Sequence, residues 1–316
     1  MNATSNILGT YGDMPKQVRE MTHNLLARND NQQELDQKKE YERRVKAGLN
    51  PAPLVERVSL KDVAGKENLE RVAEIEHLEF TSTATIRGQS LKFITSSKRL
   101  LWQAHGQEFI EPELLDFIDG IASGEVYFDI GASNGVFALY AASKSIKVVC
   151  FEPEVANFSL LNHNTYLNHQ TFTNDVLNFN VALTNENGIG SINIEKFEPG
   201  GHLKILDLAV KRGDVNFIPD FKQAVLKYRL DDFLVLTKIV SPNFLKIDVD
   251  GAELKVLRGM TTTLKNQNLK KIMIELEEDG ENFSACERIL ANNGFGIESR
   301  KRVQNYFGEE NIVFAR

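Results

Sequence analysis

Cysteine is scarce in this chain: only Cys150 and Cys286 occur among 316 residues. One falls in an apolar strand-like run and the other in a helix-like run. Both read as buried free thiols, which leaves no disulfide framework and no thiolate metal site. Long apolar runs are absent as well, so no membrane span is expected. The N-terminal stretch MNATSNILGTYGDMPK has no apolar run after a basic start, so no signal peptide is expected either. Positive charge is in deficit, with 37 Lys and Arg against 44 Asp and Glu. A net charge of -7 argues against a protein that grips nucleic acid by bulk phosphate neutralisation. The expected setting is a reducing cytoplasm. A hydrophobic fraction of 42% and a charged fraction of 26% are ordinary for a globular chain with a real core.

Three stretches differ in character. Residues 1–53 are polar, with apolar residues sparse. Val18, Met21 and Leu25 keep helical spacing, as do Leu35, Tyr41 and Val45 more loosely, so one or two helices should end near Gly48 before Asn50-Pro51-Ala52-Pro53. Such a segment must dock on the body, stay mobile, or pair with a second copy, making a homo-oligomer through these helices one expectation. Residues 54–119 form a linking α+β segment, with a helix signal from Asn68 to His77. The strand-like pieces Glu79–Ile86 and Leu91–Thr95 flank the turn Arg87-Gly88-Gln89-Ser90. Trp102 and the aromatic-rich stretch Phe109–Phe117 read as core.

From residue 120 to 316, apolar runs alternate with helical patterns. The strand candidates are Val126–Ile130, Lys147–Phe151, Asn178–Leu183, Asn243–Asp248, Lys271–Leu276, Phe295–Ser299 and Asn311–Ala315. Helix candidates are Val136–Ser143, Val155–Leu167, Gly251–Asn266 and Glu281–Asn292. Continuous apolar strands with intervening helices predict an α/β fold: a doubly wound, mostly parallel sheet covered on both faces. The last two strands have no helix between them and should be antiparallel. Seven strands ending in such a pair is the Rossmann-like layout of class I S-adenosylmethionine (SAM) methyltransferases. The stretch 184–242 is too long for a bare loop, and Ser191–Glu195 with Leu203–Leu206 reads as a hairpin of this insertion.

The most informative segment is Asp129-Ile130-Gly131-Ala132-Ser133-Asn134-Gly135, which follows a strand and opens a helix. Glycine at Gly131 and Gly135 permits a sharp turn and close backbone approach. Glu152 ends the next strand, near the ~20-residue spacing at which a carboxylate reaches ribose hydroxyls. A nicotinamide site would share these features. The third glycine of a pyrophosphate cradle is missing, however, and Asp129 stands where it would repel a pyrophosphate. SAM carries a cationic sulfur and an ammonium, which Asp129 would attract.

At this point the sequence resembles the FkbM family of methyltransferases, over about Glu111 to Leu276. The resemblance rests on Phe128–Gly135, Phe151-Glu152-Pro153, Asn180-Val181-Ala182-Leu183, Leu230–Leu234, Leu245–Glu253, Leu257-Arg258-Gly259 and Ile274-Glu275. Asp250 stands where the family pattern more often has glutamate. The resemblance implies O-methylation of hydroxyl groups on sugars, glycans or polyketide-like natural products, with SAM as cofactor.

Methyl transfer to a hydroxyl needs the acceptor aligned opposite the sulfur and its proton removed as the bond forms. Asp248, at the carboxyl end of its strand, is the first candidate as base or positioning residue. His202, on the insertion, is the second, or else a plain exposed loop histidine. The expected cofactor set is Asp129, Gly131, Ala132, Asn134, Gly135, Glu152, Pro153, Val181 and Asp248. Asp250 and Glu253 either favour a helix N-terminus or join Asp248 around a magnesium ion; no metal is expected. Lys246 shares a face with Asp248 and either pairs with a carboxylate or serves the site. Two other classes remain open: a nicotinamide-dependent oxidoreductase, and a non-catalytic SAM-binding scaffold.

Overall fold

The computed structural model describes residues 35–49, 65–75, 80–201, 204–207, 210–211, 215–277, 281–302 and 309–316. The chain divides into two compact units, 1–79 and 80–316. In the first, helix α1 (35–46) ends in a turn with Gly48 at φ +75°, and α2 (Lys66–Ile75) follows. Glycine adopts that left-handed stop at little steric cost. The spacing of Val18, Met21 and Leu25 lies outside the described residues.

The second unit opens with hairpin β1 (Thr81–Ile86) and β2 (Gln89–Ile94), paired in register from Ile86↔Gln89 to Thr81↔Ile94. Its buried residues Ala84, Ile86, Leu91 and Phe93 join the main core cluster. Two helices follow. α3 (Lys98–His105) is capped by Ser97, whose Oγ accepts the Leu100 N–H at 3.2 Å, and α4 (Pro112–Asp119) starts on a proline, where no N–H is needed. Phe117 is core, as its apolar neighbours imply. Trp102 and Phe109 depart from that expectation, at 59% and 68% exposed: the buried face of α3 runs through Leu100 and Ala104, and Phe109 stands on the short helix after it, where Gln107 is the buried residue.

Besides a two-residue antiparallel pairing of Val210–Lys211 with Val215–Asn216, the strands after the hairpin are, in chain order, β3 (Val126–Ile130), β4 (Lys147–Phe151), β5 (Val176–Phe179), β6 (Ala182–Leu183), β7 (Gly188–Ile194), β8 (Lys204–Leu206), β9 (Phe221–Tyr228), β10 (Phe244–Ile247), β11 (Lys271–Glu277), β12 (Gly296–Arg302) and β13 (Glu309–Ala315). Seven of them form the main sheet in the order β12-β13-β11-β10-β3-β4-β5, parallel except for β13, which runs antiparallel to both its neighbours. This is the doubly wound, class I layout expected from the sequence. Helices α5 (Val136–Ser143), α6 (Val155–Asn168), α7 (Leu230–Thr237), α8 (Glu253–Arg258) and α9 (Glu281–Asn292) complete the unit. Two apolar clusters, one containing Tyr127, Val148 and Phe244 and the other Phe128, Phe151 and Leu245, bury alternate residues of the central strands.

Two expected elements end at tertiary contacts. The run Asn178–Leu183 does not act as one strand: Val176–Phe179 pairs with β4, while Ala182 and Leu183 pair with β9 in a second sheet. Asn180 marks the break, its amide donating to the Glu152 and Pro153 carbonyls at 2.9 Å each. The helix expected over Gly251–Asn266 is confined to Glu253–Arg258, and its C-cap Gly259 packs so closely on the Thr184 carbonyl oxygen that a Cβ there would lie 1.9 Å from it. The 184–242 insertion supplies β7, β8 and β9 of the second sheet, β6-β9-β7-β8, and contains the expected hairpin as β7 and β8. Among the described residues no helix is long and apolar enough to cross a membrane.

Candidate active site

The carboxyl ends of β3, β4 and β10 converge on one cleft, where ligands sit in open parallel sheets. It encloses about 740 Å³ with its open mouth included. Gly131, Ser133, Glu152, Pro153, Val181, Asp248 and Asp250 line it from the main sheet, and Ile192, Gly201, Lys204 and Leu206 from the insertion.

The loop after β3 is shaped by steric necessity. Gly131 has φ +84°, and a Cβ there would fall 1.7 Å from the carbonyl oxygen of Asp248. Gly135, at φ +83°, abuts Leu161 of α6, 2.4 Å from where its Cβ would be. Both glycines therefore serve close approach, but to protein: Gly131 to the neighbouring strand end and Gly135 to a helix. Of this pair, only Gly131 also lines the cleft.

Beneath the loop sits a buried charge cluster. Asp129 and Lys246 are register partners on adjacent parallel strands and share a face, and Asp248 follows on the same face. The Lys246 ammonium lies 3.2 Å from Asp248 Oδ2 and 3.4 Å from Asp129 Oδ1, and donates to the Gly131 carbonyl at 2.9 Å. Asp129 is only 2% exposed, and its Oδ1 has no hydrogen bond. Burial raises its pKa, with Lys246 opposing. Lys246 is itself held protonated above its ordinary range: Asp248 and Asp129 outweigh the burial that would lower it. Glu111, just before α4, belongs to the same field. Burial pushes its carboxyl up to about 8, against the pull of Lys246. With the Asp129 and Asp248 carboxyls flanking one ammonium, the cluster suits a cationic ligand group.

Glu152 forms the opposite wall. Its Oε2 accepts the Ser133 N–H at 2.8 Å and its Oε1 the Glu154 N–H at 2.9 Å. Burial pushes this carboxyl up to about 7, with Lys204 and the two N–H donors pulling it down.

The sequence-derived set is thus partly assembled. Gly131, Glu152, Pro153, Val181 and Asp248 line the cleft; Asp129 lies behind its rim. Ala132, Asn134 and Gly135 sit outside the lining, and Asn134 is buried, its amide donating to Gln103 Oε1 at 2.8 Å. His202 lies outside the described residues, although Gly201 and Lys204 beside it line the cleft. Asp250, at φ +49°, accepts the Lys204 N–H at 3.1 Å, and Glu253 accepts the Gly251 N–H at 2.9 Å. These two carboxylates are turned to backbone donors. Among the described residues no group of three or more His, Cys, Asp or Glu is arranged to hold a metal ion. Sequence reasoning missed Lys204, Glu111 and Gln103. A lysine at alternate spacing to buried Ile205 gave only a weak signal, and Glu111 only that of a carboxylate preceding a helix-starting proline.

The model of the methyltransferase FkbM domain matches residues 129–297, more than half the chain. The chain belongs to the FkbM methyltransferase family. The membership removes the nicotinamide oxidoreductase as an alternative, and S-adenosyl-L-methionine is the methyl donor. The buried Asp129 carboxyl, paired with Lys246 at 3.4 Å, and the ionisable wall of Glu152 fit that cofactor's cationic and ribose ends. This FkbM methyltransferase is 22% identical to the hexuronic acid methyltransferase AglP of Haloferax volcanii over 193 residues, covering 61% of this chain and 73% of that protein. It is 26% identical to methyltransferase 1 of Beauveria bassiana, over 54% of this chain and 71% of that one. A crystal structure of an FkbM methyltransferase from Methylobacillus flagellatus KT aligns with TM-score 0.41 and 14% identity over 62% of this chain, which spans 44% of that structure.

Proposed function

We propose that this FkbM methyltransferase methylates a hydroxyl oxygen of a sugar, glycan or related natural-product acceptor, with Asp248 at the reaction centre. The carrying observation is the position of Asp248. It ends β10 beside the glycine loop, is about one-third exposed at the cleft wall, and is held by Lys246 at 3.2 Å. When bound, SAM supplies an activated methyl group on a cationic sulfur.

The protein's part is then alignment, exclusion of water and proton removal. Asp129 and Asp248 offer negative charge to the cationic end, and Glu152 offers acceptors to ribose hydroxyls. Asp248 accepts the acceptor's hydroxyl proton as the new bond forms, while Lys246 fixes the carboxylate's direction. An ion-paired carboxylate is a weak base, but it suffices for a proton that is lost late. The likeness to a hexuronic acid methyltransferase supports a sugar-type acceptor.

Incubation with methyl-labelled SAM and a panel of glycosides and uronic acids tests this reading. The expected outcome is label on a hydroxyl oxygen. Asp248→Asn should lower turnover by about 10²–10⁴-fold with SAM affinity within a few-fold. Turnover that survives Asp248→Asn contradicts the assignment of the base. Label on nitrogen or carbon contradicts the reaction class.

A further inference from the structure

Trp102, the only tryptophan of the chain, and Phe109 on the next turn are both more than half exposed. Aromatic rings gain more from burial than most side chains, so two left open on one short segment call for a reason. The Trp102 ring is held in place. It packs against Gly106, where a Cβ would lie 3.2 Å from its Cδ2, 3.1 Å from Ile110 Cδ1 and 2.7 Å from the Trp102 carbonyl oxygen. Glycine at 106 thus lets the ring lie against the backbone while most of its surface stays open. Arg99 and Gly106, three residues before Trp102 and four after it, share its flank of α3. That flank meets the insertion. Arg99 pairs with Glu198 at 2.7 Å, and Gln103 donates to the Gly200 carbonyl at 2.9 Å while accepting from Asn134. Gly201 and Ser133, next in the chain to those two contacts, line the cleft; Trp102 and Phe109 lie outside its lining.

We propose that Trp102 is an aromatic subsite for a sugar residue next to the one methylated, so that the acceptor is a glycan extending out of the cleft past α3. The proposal rests on the reading of this cleft as the site that methylates a sugar-type hydroxyl. A pyranose presents a face of C–H groups and a rim of hydroxyls. The open aromatic face covers the first, and the polar side chains along the same flank, Arg99, Gln103 and Glu198, suit the second. The two exposed rings together offer at most about 500 Å². That falls short of the ~800 Å² per partner of a stable protein interface, and it suits a short stretch of glycan. Leu101, the other exposed apolar residue of α3, lies on the opposite flank with His105, which meets Ser82 of β1 at 2.9 Å.

With a single tryptophan in the chain, its fluorescence reports the subsite directly. The probes are methyl glycosides of glucose and glucuronic acid and of their di- and trisaccharides, titrated in the presence of S-adenosylhomocysteine. The longer glycosides should shift or quench the emission saturably, and the monosaccharides should not. In steady-state assays Trp102→Ala should raise KM for the longer glycosides by about three- to tenfold, with kcat, SAM affinity and the monosaccharide KM all within about twofold. Trp102→Phe keeps a ring and should recover most of the loss. An equal change for short and long acceptors marks a structural role and overturns the proposal, as does emission that no oligosaccharide moves. Emission that depends on protein concentration puts a second copy on the patch and overturns it too. Methylated monosaccharides with no advantage for the longer glycosides sink the subsite and leave the reaction standing. Label on no glycoside, with emission unmoved by all of them, removes the reading of the reaction as well.

Discussion

Gly131 shows how tightly a single residue is constrained here. Its Cα faces the Asp248 carbonyl so closely that a methyl group would sit 1.7 Å from the oxygen, at a φ of +84° that L side chains rarely adopt. Gly131→Ala should therefore cost at least about 3 kcal/mol, from combined overpacking and backbone strain. Urea unfolding would measure the loss, and a change under about 1 kcal/mol would contradict the geometry. The sequence made Gly131 conspicuous as the end of a strand-loop motif, but attributed its need to a ligand. Which atom approaches a glycine depends on the partner strand, and no local pattern carries that. Asp129, Glu152 and Asp248 were legible because strand ends in a parallel sheet are where ligands meet polar side chains. Lys246 was noticed as an oddity, a lysine inside an apolar strand, and the structure supplies its three partners. Lys204 and Glu111 were not legible, because each acquires its role from an element distant in sequence.

At the scale of elements, the insertion is fastened to the body through Gln103. Its amide donates to the Gly200 carbonyl at 2.9 Å and accepts from Asn134 at 2.8 Å, so one side chain of α3 joins the glycine loop to the tip of the β7–β8 hairpin. Asn157 of α6 adds a second tie, accepting the Gly200 N–H at 2.9 Å. Gln103→Ala leaves the buried Asn134 amide without this partner. The expected cost is about 1–2 kcal/mol of stability, with a several-fold rise in the SAM dissociation constant. Urea denaturation and calorimetry would check the two effects, and no change in either would show the junction to be incidental. The bounds of β3, β4, α5 and α9 follow from the sequence, because apolar runs and turn residues coincide there. The displaced β5 and the shortened α8 do not, since both end at contacts across the fold: Asn180 turning to Glu152 and Pro153, and Gly259 meeting Thr184.

For the whole molecule, the sheet order β12-β13-β11-β10-β3-β4-β5 brings the acid of β3, the acid of β4 and the acid of β10 to one edge, and the second sheet closes over them. Alternation of strands and helices made the parallel sheet and its antiparallel end readable. The second sheet was readable only as a hairpin, because β6 and β9 pair across more than 35 residues. The hairpin β1–β2 packs into the same core as the main sheet, so the unit containing the cleft begins near Phe80. The central claim is that this cleft binds SAM through Glu152 and the charge cluster behind Gly131. Its most direct test is calorimetric titration of the full chain with SAM, beside Glu152→Ala and an NADH control. Saturable one-to-one SAM binding that Glu152→Ala weakens by at least about tenfold, the worth of one lost charge-assisted hydrogen bond, with NADH inert, is the predicted result. SAM binding equally tight in wild type and Glu152→Ala would place the cofactor elsewhere and contradict the account.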